Sequence, residues 1–343
     1  MQNNYFSLNP AQQRQVIEQT AAKLNLPVQA IEKDLWVTAI LQVLFTLPCA
    51  HGLVFKGGTS ISKVWNAINR FSEDIDLAID RSLFDLDGEL TKKQVKKLRK
   101  VSSMFVREEL CGQLCEAIAS TPLYGLCEIE AQPDGVGDST YPEPRIIYVK
   151  YASLFSDKID YISDKIDYIL PVVKIEAGAR SLLEPTLNVA IKSLVDAALP
   201  SITTSLVDVE VRTAVAEKTF LEKCFLLHEL FSRGVAVSAN RRSRHLYDLH
   251  MMMRKGIDKR AVSDDELWNT IHHHRSTLTS ISGVDYTPDI RSRIVLTPPA
   301  ECVEDWKSDY QAMQGSMIYN NPPSFEELLQ SMAELEMAFK KQF

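Results

Sequence analysis

The segment from Leu53 to Asp80, LVFKGGTSISKVWNAINRFSEDIDLAID, constrains the fold more than any other part of the chain. In fewer than thirty residues it holds a glycine turn, a helix start and two closely spaced aspartates. Val54 and Phe55 read as a strand running into Gly57-Gly58, where the missing Cβ atoms permit positive φ and let a ligand approach the main chain. Thr59, Ser60 and Ser62 then offer hydroxyls at the start of a helix whose apolar positions Ile61, Val64, Trp65 and Ile68 follow helical spacing. A helix N-terminus carries unpaired N–H groups and a positive dipole end, which favour an anion. In DIDLAID acid and apolar residues alternate with period two, so Asp74 and Asp76 share one strand face while Ile75 and Leu77 point into a core. Two carboxylates beside a phosphate-binding turn make a site for Mg²⁺ and a nucleoside triphosphate.

The string GGTSISKVW, four residues, then RFSEDIDL resembles the first motif of the AbiEii/AbiGii nucleotidyltransferases, a branch of the polymerase-β-like superfamily that includes toxins of type IV toxin–antitoxin systems. About a dozen positions match in order. The resemblance implies an α/β (α+β) fold, with a mixed nucleotidyltransferase sheet and flanking helices followed by a mainly helical C-terminal domain. It implies nucleotide binding by Gly57, Gly58, Thr59, Ser60, Lys63, Arg70 and Ser72, and one or two Mg²⁺ ions held by Asp74 and Asp76. The helix before the motif, IEKDLWVTAIL, matches as well through Glu32, Lys33, Asp34 and Trp36; its apolar positions alone would pack it on the sheet.

Further along, Thr91 to Ser120 reads as helix, with Lys92, Lys96 and Lys100 in an i, i+4 row and Lys93, Lys97 and Arg99 beside it. Such a row is ordinarily a solvated face. In a protein that handles RNA it would also bind phosphates. From Leu123 to Gly178 short β-like segments follow, YGLCEIEA, RIIYVKYASLF and YILPVVKIEAGA, separated by the turn-rich PDGVGDSTYPEP. SDKIDYI occurs twice in succession, 156–162 and 163–169, as a local duplication expected at the surface. Glu176 stands where polymerase-β-like enzymes place a third carboxylate, which completes the metal site or activates the attacking hydroxyl. Beside Asp74 and Asp76 its pKa would rise without metal, favouring a general-base role.

Beyond Leu182 the composition turns helical, which divides the chain into a nucleotidyltransferase domain with its N-terminal helices over 1–182 and a helical domain over 183–343. Residues 215–232 form an amphipathic helix with Phe220, Cys224, Leu227 and Phe231 in register. Within it TFLEKCFLLH resembles the family's second motif, whose lysine contacts nucleotide phosphate; Lys223 is the matching position. SRHLYDL resembles a third motif and carries over Arg244, His245 and Asp248, while the run Arg241, Arg242, Arg244, His245 concentrates positive charge suited to a triphosphate or an RNA backbone. Read without the resemblance, Arg244 and Asp248 make an i, i+4 salt bridge. His272, His273 and His274 are consecutive and diverge on a helix, so they do not form the usual metal pair. A Ser324 cap with Glu327 starts a final helix.

Charge and cysteine content narrow the class. A net charge of −7 over 343 residues argues against a generally basic nucleic-acid coat, although local patches remain. Six cysteines without a CxxC pair read as free thiols of a reducing cytoplasm, and the first residues lack a secretory pattern. The apolar run Leu35 to Leu47 is too short to span a bilayer. The expectation is a cytoplasmic bacterial enzyme that moves NMP from an NTP to an acceptor hydroxyl, with Asp74, Asp76, Glu176, Lys223 and Asp248 as its catalytic residues. The resemblance makes the acceptor RNA, tRNA first, and implies a toxin of a type IV or abortive-infection phage-defence system with a cognate antitoxin. Two other readings stay open, a non-catalytic NTP- or RNA-binding module and a nucleotidyltransferase acting on a protein hydroxyl.

Overall fold

The computed structural model describes residues 3–72, 74–135, 140–155, 170–233, 238–318 and 321–342. The tandem SDKIDYI lies outside them. The described chain divides into two compact units, one of residues 1–64 and 72–214, the other of 65–71 and 215–343.

The first unit is a mixed seven-stranded sheet with helices. In chain order it contains β1 (Asn3–Asn4), α1 (Pro10–Leu24), α2 (Val28–Leu44), β2 (Leu53–Lys56), α3 (Gly57–Lys63), β3 (Asp74–Ile79), α4 (Lys92–Phe105) and α5 (Cys111–Ile118). Then come β4 (Cys127–Ala131), β5 (Arg145–Tyr151), β6 (Val172–Gly178), β7 (Thr186–Ala190), α6 (Leu194–Ala198), β8 (Ile202–Thr203) and β9 (Glu210–Ala214). The main sheet runs β4-β5-β6-β3-β2-β9-β7, with β1 and β8 forming a separate short ladder. In the main sheet β3 pairs β6 and β2 pairs β9 in parallel and the other neighbours are antiparallel, while β1 pairs β8 in parallel.

Period-two alternation decides which face is covered. Phe55, Ile75, Leu77, Ile147, Val149, Val173 and Ile175 are buried in one core with residues of α2, Leu98 and Leu114. Each such side chain contributes about 1.5–3 kcal/mol by leaving water. Trp36 of α2 stacks on Tyr151 with ring centroids 4.8 Å apart. The IEKDLW helix is pinned by its charges as well as its apolar residues: Glu32 accepts from Ser153 Oγ (2.6 Å) and the Leu154 N–H (2.7 Å), and Asp34 accepts from the Leu194 N–H (2.7 Å).

Two sequence expectations change here. The helix after the glycine turn ends at Lys63 and does not extend through Ile68, and Asn66 in a left-handed conformation (φ 46°) blocks its continuation. Past Leu182 the sheet continues with β7 and β9, paired from Thr186↔Ala214 to Ala190↔Glu210. The first compact unit therefore reaches Ala214 instead of ending at 182. β7 is an edge strand with Leu187 exposed, so it carries little of the apolar alternation that marks a strand.

The second unit holds α7 (Ala216–Phe231), α8 (Arg244–Arg254), α9 (Ile257–Ser263), α10 (Asp265–His274), α11 (Val303–Ser316) and α12 (Phe325–Lys341). In its core Trp268 lies between Phe225 and Phe339, with ring centroids 4.7 Å and 5.1 Å away respectively. Residues 65–71 belong to this unit: the Phe71 N–H donates to the Met317 carbonyl at 2.7 Å and Arg70 forms a β-bridge with Ile318. α12 opens with the expected Ser324/Glu327 capping box, and His272 reaches the Tyr286 carbonyl at 2.9 Å.

Candidate functional site

In the first unit the sheet register lays a row of charged side chains across three strands. Lys56 of β2 lies opposite Asp76 of β3, and Asp76 opposite Glu176 of β6. One pleat away Asp74 lies opposite Lys174. Directly opposed residues share a face, so all five project from the face opposite the apolar core. Burial first, and then the charges of Asp76 and Asp74, push the Glu176 carboxyl up to about 6; Lys56 and Lys174 oppose the rise. Three carboxylates thus crowd one another, with Lys56 and Lys174 beside them.

Gly57 fits this row by having no side chain. Its φ is +79°, and a Cβ there would stand 1.9 Å from Asp76 Oδ2 and 2.7 Å from Asp76 Cγ. The glycine turn therefore passes directly against the carboxylate. Lys56 at the cap of α3 makes no side-chain cap hydrogen bond.

The hydroxyls that follow are engaged within the fold. Thr59 Oγ1 donates to the Asp74 carbonyl at 2.5 Å and lies 2.9 Å from Ser72 Oγ. Ser60 Oγ donates to the Gly57 carbonyl at 2.8 Å, and Thr59 and Ser60 are buried. They hold the turn to the acidic strand. Lys63 is also engaged, with Asp34 Oδ1 at 2.6 Å, Thr38 Oγ1 at 2.8 Å and the Lys192 carbonyl at 3.2 Å. It ties α3 to α2.

Among the described residues no group of three or more His, Cys, Asp or Glu is arranged to hold a metal ion. The donor set still fits a hard divalent cation. Mg²⁺ is usually bound through one or two carboxylates, with substrate phosphates and water completing its shell, and Asp74 and Asp76 supply such a pair.

The second unit contains the other cluster. Arg70 donates through Nε to Asp248 Oδ1 (2.6 Å) and through Nη2 to Oδ2 (2.8 Å), a bidentate pair. Lys223 Nζ lies 2.9 Å from Asp248 Oδ2 and 3.4 Å from His245 Nδ1. Asp248 is completely buried and Arg70 is 4% exposed. Burial alone would raise the Asp248 carboxyl, but Arg70 and Lys223 outweigh it and hold the group well below the usual carboxylate range. Burial lowers Lys223, with Asp248 opposing and Arg70 adding to the shift. Burial, then Lys223 and Arg244, push His245 well below its ordinary value, which leaves the ring neutral at pH 7. One carboxylate between two cations leaves the cluster net positive. Asp248 is thus an anchor for Arg70 and Lys223, partners that its i, i+4 spacing from Arg244 does not reveal. The run before α8 is fixed by Asp309, which accepts from the N–H groups of Arg241 and Ser243.

Arg70 and Asp248 belong to separate sequence motifs, and their pairing across 178 positions has no signal in a single chain. Cys49, Cys111, Cys115, Cys127, Cys224 and Cys302 form no disulfide among the described residues, and among the described residues no helix is long and apolar enough to cross a membrane.

A family model for the nucleotidyl transferase AbiEii toxin of type IV TA systems matches residues 39–331. No curated protein matches the chain. Among solved structures the chain is similar to MenT4, a nucleotidyltransferase toxin from Mycobacterium tuberculosis H37Rv, at 18% identity over 98% of this chain and 89% of that one, with a TM-score of 0.45.

Proposed function

The chain belongs to the AbiEii nucleotidyltransferase toxin family of type IV toxin–antitoxin systems, and from that premise we propose that it transfers NMP from an NTP to an RNA hydroxyl, tRNA first, with Mg²⁺ as its cation. The observation that carries the reading is the close approach of Gly57 to Asp76 within a row of crowded carboxylates. Family membership makes the chain an enzyme and implies an antitoxin partner.

Asp74 and Asp76 would hold the cation. When bound, the cation neutralises phosphate charge and lowers the pKa of the attacking hydroxyl. The Gly57-Gly58 turn lets the triphosphate approach the backbone. The acceptor oxygen forms a bond to the α-phosphorus, the bond from that phosphorus to the bridging oxygen breaks, and pyrophosphate leaves with the electron pair. Glu176, opposite Asp76 on the next strand, takes the acceptor's proton as general base. The family's motifs give Lys223 and Arg244 the role of phosphate contacts, and Asp248, itself held by Arg70, fixes Lys223 in place. Thr59, Ser60, Ser72 and Lys63 hold the turn and its helix through their side chains.

The test is incubation with each α-labelled NTP and Mg²⁺, with total RNA or total protein as acceptor. Label on RNA is expected. Label on protein alone would move the acceptor to a protein hydroxyl, and binding without label would reduce the chain to a nucleotide-binding module.

A further inference from the structure

The carboxylate row continues beyond Glu176 onto β5. Glu176 lies opposite Ile146, and Lys174 lies opposite Tyr148, which itself lies opposite Glu130 of β4. The same face of the sheet therefore carries, in two adjacent rows, Asp76, Glu176 and Ile146, and Asp74, Lys174 and Tyr148. We propose that Ile146, Tyr148 and Lys174 form the subsite for the end of the acceptor strand, with Tyr148 as the stacking surface for a base. This deepens the RNA reading above and rests on it for the identity of the acceptor.

Spacing supports the assignment. Strands lie about 4.8 Å apart, so Tyr148, two strands from Asp74, is ~10 Å away along the row. Stacked nucleotides rise about 3.4 Å each, so a base on Tyr148 belongs to the terminal few nucleotides of a strand whose hydroxyl reaches Asp74 and Asp76.

Composition supports it as well. Ile146, Tyr148 and Lys174 are half-buried, and none of them is part of the core on the helix-covered face, which takes Ile147, Val149, Val173 and Ile175 from the same two strands. The opposite end of the open face is filled by Val54, Ala78, Ala214 and Leu183, so the polar and aromatic portion begins at the carboxylates. An aromatic ring on a sheet beside a cation is the arrangement by which proteins hold unpaired bases, through ring stacking with a neighbouring charge for the phosphate.

The outer border is acidic. Glu128 and Glu130 are exposed on β4, and Glu130 pairs with Lys150. A polyanion is repelled there, so the strand end lies over β5 and β6.

The experiment uses the full chain and single-stranded oligoribonucleotides with 2-aminopurine at each of the last three positions in turn, whose fluorescence falls on stacking. Quenching and binding are expected for the native protein and for Tyr148→Phe, which keeps the ring. Tyr148→Ala should weaken binding about five- to over a hundredfold, the range for one stacked base, and leave NTP affinity unchanged. Tyr148→Leu keeps apolar bulk without the ring and should behave like Ala, which separates stacking from folding. Native-like binding and quenching in Tyr148→Leu, or no binding by the native protein, would overturn the subsite. If the oligonucleotide binds through Tyr148 but NTP never labels it, the subsite stands and the RNA-acceptor reading fails.

Discussion

Gly57→Ala is the substitution on which the geometry of the site bears most directly. Its Cβ would stand 1.9 Å from Asp76 Oδ2, 2.7 Å from Cγ and 3.0 Å from Asp76 Cβ, where ordinary contact begins near 3.4 Å. To reach ordinary contact Oδ2 must retreat by about 1.5 Å and Cγ by about 0.7 Å, and a misplacement of about 1 Å in a catalytic constellation costs roughly 10²-fold in rate. The backbone adds its own cost, because φ is +79° and an L side chain in that region loses about 1–2 kcal/mol. The expected result is a kcat for nucleotidyl transfer at least about 10²-fold lower, with a stability loss of about 1–2 kcal/mol in urea unfolding. Combining Gly57→Ala with Asp76→Ala separates the two effects: the second substitution should leave little further activity to lose, while the backbone strain persists. A Gly57→Ala protein with native kcat and native stability would refute the close approach.

Other outcomes follow from the same structure. Arg70→Ala leaves Asp248 buried with Lys223 alone and should destabilise the second unit by about 3–5 kcal/mol in chemical unfolding; a loss below about 1 kcal/mol would show that the pair is not buried in solution. Lys223→Ala and Arg244→Ala should weaken NTP binding in calorimetry more than they weaken folding. Glu176, raised to about 6 in the folded chain from an ordinary 4.5, holds a proton between those pH values that the unfolded chain releases, so its ionisation lowers stability as pH rises through that window. Without divalent cation, Glu176→Gln should therefore be more stable than the native chain above pH 6, by on the order of 1–2 kcal/mol, with the gap closing below pH 4.5; an equal gap at both ends would show that burial and the charges of Asp76 and Asp74 do not raise the carboxyl. Replacing Lys92, Lys96 and Lys100, all exposed on α4, with Gln should flatten the log–log salt slope of RNA binding by up to about 0.7–0.9 for each phosphate these lysines neutralise, with NTP affinity nearly unchanged. An unchanged slope makes the row a solubilising face.

Much of the first unit was legible because its signals are local. Alternation in DIDLAI and VVKIEAG fixes which side chains meet the core, and the glycine turn marks where backbone and carboxylate approach. What one chain could not display were pairings between distant segments. Residues 65–71 read as the end of a helix, yet Asn66 turns the chain and Arg70 goes to Asp248. The hydroxyls of Thr59 and Ser60 and the amine of Lys63 have the right chemistry for phosphate, but their partners within the fold are the Asp74 carbonyl, the Gly57 carbonyl and Asp34. Residue type gives a group's capability, and only tertiary structure tells which partner takes it up. β7 escaped for a different reason: an edge strand needs backbone pairing more than apolar side chains, so TLNVA carries little alternation.

The central claim is that Asp74 and Asp76 support nucleotidyl transfer, and pyrophosphate release with label transfer in the native chain, Asp74→Ala and Asp76→Ala tests it most directly. The native chain should release one pyrophosphate for each labelled NMP attached to RNA, while both variants fold normally and do neither, since each gives up a half-exposed carboxylate and leaves the core intact. Full transfer by both variants would contradict the account.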